Sequence, residues 1–384
     1  MGEVPARLSR MLPPRTTRIA LLLASFTLIL GLAEIAARLT SPDNPPAPLP
    51  PQPADSDLPE LKKLNQLARP NALGIHRDVL YRTNSRGIRG PETDAAAAPG
   101  VLRIGIVGDS VTVGWGVAEE DAYPRQLERI LNAEFANRRF EVLNFGLAGI
   151  NAEVAIRRLS KLDEFYRPDL LIYGFTPNDI EGPNYLNLSS PELRVRFGKK
   201  NFKTVDSPSR LYSRLVPMLK SIREFYWPAP DSPSTERLHN FFQNPAAWRD
   251  FEAALDRLKA MGERGERCVH ILVHTQIMYL GLLHPLSPIY EKVGEAARSR
   301  GFGVTQTLED YRFKNERRLW VRAKDPHPNR EGHAILARAL ADDLLALPDH
   351  CFEANRKSKG PSYTLGGASG GASSGASSGA WGLK

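Results

Sequence analysis

Between residues 100 and 350, short apolar runs alternate with longer stretches whose apolar positions recur every three or four residues. The runs span 102–107, 140–143, 170–173, 269–275 and 302–305. Each is short, and several are rich in β-branched residues. The first is bounded by Pro99-Gly100 behind and Gly108 ahead, which predicts a buried strand. Residues 121–137 carry Leu127, Ile130, Leu131 and Phe135 at helical spacing. Residues 153–162, 246–261, 288–300 and 331–347 also read as helices. The last would present Ile335, Leu336, Leu340, Leu344 and Leu345 on one face. Strands alternating with helices predict an α/β fold, a three-layer sandwich around a parallel five-stranded sheet.

The pattern changes towards both ends. Arg7, Arg10, Arg15 and Arg18 precede an apolar run over 19–33, and Glu34 and Arg38 lie on its far flank. Extended through Ala37, the run is long enough to be a transmembrane helix. A cleaved signal peptide is the competing reading. No small-x-small site follows, and Glu34 and Arg38 fit poorly before one, which favours an uncleaved anchor over 19–38. Either way the arginines of segment 1–18 stay in the cytoplasm, and the rest is expected outside it, in periplasm or extracellular space. Residues 39–60 are proline-rich and read as a tether. Residues 61–352 form the expected globular domain. Within it, 180–244 is an insertion after the third strand, either a cap over the site or a surface excursion. It holds a basic run (194–203) and the sequence Phe225-Tyr226-Trp227-Pro228. Residues 353–384 collapse into Gly, Ala and Ser and read as a disordered tail or an appended segment. Asn187 heads an Asn-Leu-Ser sequon that matters only in a glycosylating host.

Composition adds little. Lys+Arg exceed Asp+Glu by 51 to 43, a net +8, which suits an anionic membrane or glycan or simple solubility. There is no nucleic-acid motif. The eight His and two Cys are scattered singly, without metal-ligand spacing, so neither metal nor cofactor is expected.

The first strand ends in Gly108-Asp109-Ser110, and a residue just past the carboxyl end of such a strand sits where open α/β sheets place their chemistry. Alone, this stretch is equally a strand-to-helix turn with Ser110 as N-cap. Three later stretches add to it. NFGLAGIN begins at Asn144, GFTPND at Gly174 and DPHPN at Asp325. In order, the four resemble the sequence blocks of the SGNH hydrolases, or GDSL esterases, over residues 84–347. The resemblance implies that Ser110 is the nucleophile and His327 its base, oriented by Asp325. It implies an oxyanion hole made by the N–H of Ser110, a block-two glycine and the Asn178 amide. Gly146 and Gly149 both fit block two, and the family spacing selects Gly149. The family's usual D-x-x-H would put an acid at 324, where this chain has Lys324. D-x-H resembles the membrane-linked, polysaccharide-modifying branches. These also often carry an N-x-x-G-x-R-G stretch like that at Asn84, which otherwise reads as an edge segment and turn.

The residue types suit acyl transfer to serine. A hydroxyl needs a base to take its proton. A glycine allows close backbone approach, and an asparagine donates while neutral. His327 is expected in a turn between two prolines, His274 is the rival base, and His333 is expected to pack. Asp109 and Asp179 read as turn formers. The implied function is hydrolysis of an ester, a short acyl or O-acetyl group on a glycan or lipid. The rivals are O-acyl transfer to an envelope glycan and a non-catalytic carbohydrate-binding module on the same frame.

The two cysteines lie just before strand four (Cys268) and just after the closing helix (Cys351). The helix starts beside His327 and runs back over about 25 Å, and strand four covers about 23 Å. Both cysteines therefore arrive at the end of the sheet opposite Ser110, which predicts a Cys268–Cys351 disulfide against the alternative of two free thiols.

Overall fold

The structure is a computed structural model that describes residues 15–39, 58–61, 64–135, 137–180, 209–227, 233–323 and 325–352. Residues 40–57 of the proline-rich tether, the basic run, the sequon and the Gly/Ser/Ala tail lie outside the described residues.

The chain begins with helix α1 (Arg15–Leu39). A hairpin follows, β1 (Leu73–His76) and β2 (Val79–Arg82). The core then runs β3 (Val101–Gly108), α2 (Tyr123–Glu134), β4 (Arg139–Asn144), α3 (Ala152–Tyr166) and β5 (Leu170–Phe175). After the insertion helices α4 (Arg210–Tyr226) and α5 (Pro233–Phe242) come α6 (Pro245–Arg264), β6 (Val269–Val273), α7 (Ser287–Arg298) and β7 (Gly303–Gln306). A short pair, β8 (Trp320–Arg322) and β9 (Asp325–Pro328), leads into α8 (Arg330–Leu345).

The five core strands are all parallel, in the order β4-β3-β5-β6-β7. The chain moves outward from β3 to β4 and then returns to place β5 on its other side. β3 is therefore at the switch point, where the loops leaving two neighbouring strands part and open a crevice at the carboxyl end.

Alternation along the strands builds two cores. Val107, Leu171, Tyr173 and Phe175 face α3, α6 and α7 in one buried cluster. Ile104, Ile106, Leu170 and Ile172 face α2 and α8 in the other. The sheet is covered on both faces, as the sequence pattern predicts. Cys268 and Cys351 are bonded, with Cα atoms 5.2 Å apart, at the amino end of β6 and beyond α8.

Three features depart from the sequence reading or go beyond it. The first is hairpin β1–β2, which turns on Arg77 and Asp78, both at positive φ (53° and 61°). Such turns usually carry Asn-Gly, so Arg-Asp gave no signal. The second is the segment holding His327, which is not a turn between prolines. It is strand β9, paired antiparallel to β8. Prolines fit a short two-stranded ribbon because each strand has a free edge. The third is the insertion. Its helix α5 buttresses the end of β5, with Phe241 6.0 Å from Phe175.

Candidate active site

Strand β3 ends at Gly108, and Asp109 caps the one-turn helix Ser110–Val113 by accepting from the Val111 N–H at 3.0 Å. Ser110 is thus not the N-cap that its position also allowed; Asp109 has that role. Gly108 is required by close approach: a Cβ there would lie 2.2 Å from Thr112 Oγ1 and 2.5 Å from the Gly174 carbonyl. The turn is braced from outside by Arg89, a buried side chain from the stretch after β2. Its guanidinium donates to the carbonyls of Val113, Gly114 and Val117 at 2.6–2.7 Å. The Asn84–Arg89 stretch is therefore more than an edge segment, because it fixes the loop that follows Ser110.

His327 reaches the same point from β9. Its Nε2 lies 2.9 Å from Ser110 Oγ, and its Nδ1 lies 2.5 Å from Asp325 Oδ1. The two residues are next-but-one neighbours on a strand, so their side chains share a face. D-x-H spacing on an extended segment therefore lets one short stretch supply both. The geometry assigns the tautomer: Nδ1–H donates to the carboxylate, which leaves Nε2 to accept the serine proton. Burial pushes the Asp325 carboxyl up, but it is outweighed. The hydrogen bond and charge of His327, its backbone N–H and the Trp115 indole together hold the group at about 2.

Trp115 carried no sequence signal. It lies in the glycine-rich loop after Ser110, and its indole N–H donates to Asp325 Oδ2 at 3.2 Å. Its ring is 5.6 Å from the His327 ring and 4.5 Å from that of His76, and Arg77 lies over it at 4.9 Å. Hairpin β1–β2 thus closes one side of the site.

Asn178 lies in the turn Pro177–Ile180 that leaves β5. Its Nδ2 donates to Asp109 Oδ2 at 2.9 Å, beside Ser110 Oγ, which is 3.1 Å from the same oxygen. An amide carries two hydrogens; one fixes its orientation, and the other makes no hydrogen bond among the described residues. The Asn178 turn is held by Asp179, which accepts from Tyr173 Oη at 2.6 Å and from the N–H and hydroxyl of Thr176 at 3.1 Å. Burial, with Asp109 nearby, pushes the Asp179 carboxyl well up.

The loop after β4 is pinned along β3 by Leu147 N–H to the Gly108 carbonyl at 3.0 Å. Within it the Gly146 N–H donates to Asn144 Oδ1 at 3.0 Å. Gly149 has φ 72°, a backbone that favours glycine. Its N–H makes no hydrogen bond among the described residues. This separates the two block-two glycines: one N–H is used internally, and the other is not.

The rival base makes no hydrogen bond to Ser110 among the described residues. His274 is buried, with Nδ1 unpartnered and its titration lowered to about 3, chiefly by burial. His333 is also buried, and its Nδ1 accepts from the Tyr123 N–H at the start of α2 at 3.2 Å.

Chemically, the arrangement offers a hydroxyl, an imidazole positioned to take its proton, a carboxylate to hold the imidazolium, and neutral N–H donors alongside. No family model matches the chain, and no curated protein matches it. Among solved structures, the chain is similar to the psychrotrophic esterase EstA from Pseudoalteromonas sp., at 14% identity over 64% of this chain and 97% of that one, with a TM-score of 0.37. It is similar to LAE5, an α/β hydrolase enzyme from the metagenome of Lake Arreo, at 16% identity over 67% and 100% of the two chains, TM-score 0.39. It is likewise similar to a catalytic mutant of Axe2, an acetylxylan esterase from Geobacillus stearothermophilus, at 17% identity over 63% and 94%, TM-score 0.40.

Proposed function

We propose that the chain is a serine ester hydrolase that works through an acyl-serine intermediate on a short acyl or O-acetyl ester. The observation that carries this reading is the unbroken relay from Asp325 through His327 to Ser110, at the carboxyl end of the switch-point strand. In this reading His327 Nε2 takes the Ser110 proton as Oγ attacks the carbonyl carbon. The imidazolium formed is stabilised by Asp325, which stays ionised. The oxyanion is received by the N–H of Ser110, the N–H of Gly149 and the second Asn178 hydrogen, donors of the kind typically worth about 3 kcal/mol each. His327 returns the proton to the leaving alcohol. It then deprotonates the water that releases the acyl group, restoring Ser110.

The same reading places the enzyme on a membrane, held by α1 as an uncleaved anchor with the enzyme domain outside the cytoplasm. Support comes from the 21-residue apolar stretch Ile19–Leu39, with mean hydropathy 2.3 and residues 19–32 exposed, and from the arginines before it. The Cys268–Cys351 disulfide suits an oxidising compartment.

Treatment with a fluorophosphonate, followed by peptide mass spectrometry, tests the chemistry. One adduct is expected, on Ser110, and Ser110→Ala should lose both the adduct and turnover of a short-chain reporter ester. An adduct on another residue, formed at undiminished rate in the variant, sinks the assignment.

A further inference from the structure

Helix α4 lies within the insertion, and its exposed face is unusual for a surface in water. Tyr212, Leu215, Leu219 and Tyr226 are exposed, by 42, 39, 58 and 59%. At 100° per residue they fall within a stripe of roughly 60°. Trp227 follows directly and is 71% exposed. Lys220 and Arg223, both exposed, flank the stripe on one side. The opposite face is buried: Ser221 and Glu224 are almost fully covered. A bulky apolar stripe with basic residues beside it and aromatics at its end has the composition of a helix that lies in a membrane interface.

The neighbours of α4 point the same way. Its N-terminus is joined to the far end of α1. The Glu34 carboxylate accepts from Ser209 Oγ at 2.8 Å, from the Arg210 N–H at 2.9 Å and from the Leu211 N–H at 2.8 Å. Ala37, one turn further along α1, is buried, whereas residues 19–32 are exposed. A span of 21 residues is about 31 Å long, close to the hydrocarbon thickness of a bilayer. Glu34, five residues before the end of that span, then sits about 8 Å inside the outer boundary of the hydrocarbon, within the roughly 5–10 Å depth that an interfacial helix reaches, and α4 starts at that level. The inner face of α4 packs tightly on the loop after β6: a Cβ on Gly281 would lie 2.3 Å from Ser221 Oγ. That loop leaves the sheet at its carboxyl end, the end that bears Ser110.

We propose that α4 lies in the outer interface of the bilayer crossed by α1, with the Tyr212–Leu215–Leu219–Tyr226 stripe turned to lipid. This rests on α1 being a span. Docked in this way, α4 holds the carboxyl end of the sheet close to the membrane surface, so the proposed enzyme meets its ester there rather than at the reach of a long tether.

Spin labelling of the full chain in nanodiscs of phosphatidylcholine and phosphatidylglycerol tests this. Nitroxides are attached in turn to Leu219→Cys, Leu28→Cys and Glu309→Cys, with Leu215→Cys as the alternative to Leu219→Cys. The native cysteines are bonded to each other and do not take label. Circular dichroism melts select variants that fold. Relaxation by oxygen and by a water-soluble nickel chelate then reports depth. Leu28 should be deep, Glu309 should be in water, and Leu219 should be shallow, reached by oxygen and shielded from nickel. If Leu28 is deep and Leu219 matches Glu309, α4 projects into water; the docking proposal fails and the anchor stands. If Leu28 is also reached by nickel, the span itself fails and the docking with it. If neither reagent reaches Leu219, protein covers the stripe, and lipid docking is overturned.

Discussion

The indole N–H of Trp115 donates to Asp325 Oδ2 at 3.2 Å, across 210 residues of chain. Asp325 therefore has one oxygen committed to His327 and the other to Trp115, so its carboxylate plane is fixed from both sides. Trp115→Phe keeps the ring and removes this donor. A hydrogen bond to an ionised carboxylate, worth about 1.5–3 kcal/mol, predicts a fall in kcat of roughly 10- to 150-fold on a reporter ester, with KM unchanged. An unchanged kcat would show that His327 alone orients the carboxylate.

Asn178 is held by Asp109 and not by substrate, and its second amide hydrogen makes no hydrogen bond among the described residues, so it is in place before any ester binds. Preorganised donors act on the transition state more than on the ground state. Asn178→Ala is expected to lower kcat by about 100- to 1,000-fold with little change in KM. A rise in KM at constant kcat would assign Asn178 to ground-state binding.

Burial lowers His274 to about 3, and it stays neutral in the fold. In the unfolded chain it titrates near 6.5, so below that pH the unfolded state binds the extra proton. The group therefore contributes stability above about pH 6.5, and that contribution is lost as pH falls toward 3. Urea unfolding of wild type and His274→Gln between about pH 6 and about pH 4 tests this. The variant should show a pH dependence shallower by about 1.4 kcal/mol per unit. Parallel curves would mean that the imidazole is protonated inside the fold.

The Cys268–Cys351 bond closes a long loop, with a sequence separation of 83, and ties the chain beyond α8 to the start of β6. Cys351→Ser is expected to destabilise the domain by about 2–5 kcal/mol. Chemical denaturation in non-reducing buffer measures it. A loss under about 1 kcal/mol would show that residual structure already restricts the unfolded chain without the bond.

The sheet and its helices were legible because their signals are local. The run over 170–173 is continuous and apolar, and that over 102–107 is interrupted only by Arg103 and Gly105, since both faces of a parallel sheet are covered. Helix α8 declares itself by one apolar face. The pairing of the cysteines also followed, because a parallel sheet fixes which end each strand starts from. The positions of Ser110, Asn178 and His327 could be read because each lies in a short block of its own.

What tertiary structure alone decided are relationships between segments whose sequences do not announce each other. DPHP becomes a strand because β8 pairs with it; the two prolines by themselves read as a turn. Trp115 and Arg89 act on the site through side chains that meet other loops, and no local spacing encodes a contact between residues 115 and 325. The stripe on α4 is legible as apolar residues at helical spacing, but helical spacing cannot say whether such a face is buried. Only the packing of Ser221 on the Gly281 loop, and of the helix start on Glu34, turned that stripe outward. The sequence by itself determined the periodicity, and with it the core strands and helices; the fold decided which faces are left without protein, because burial depends on what the rest of the chain has already covered.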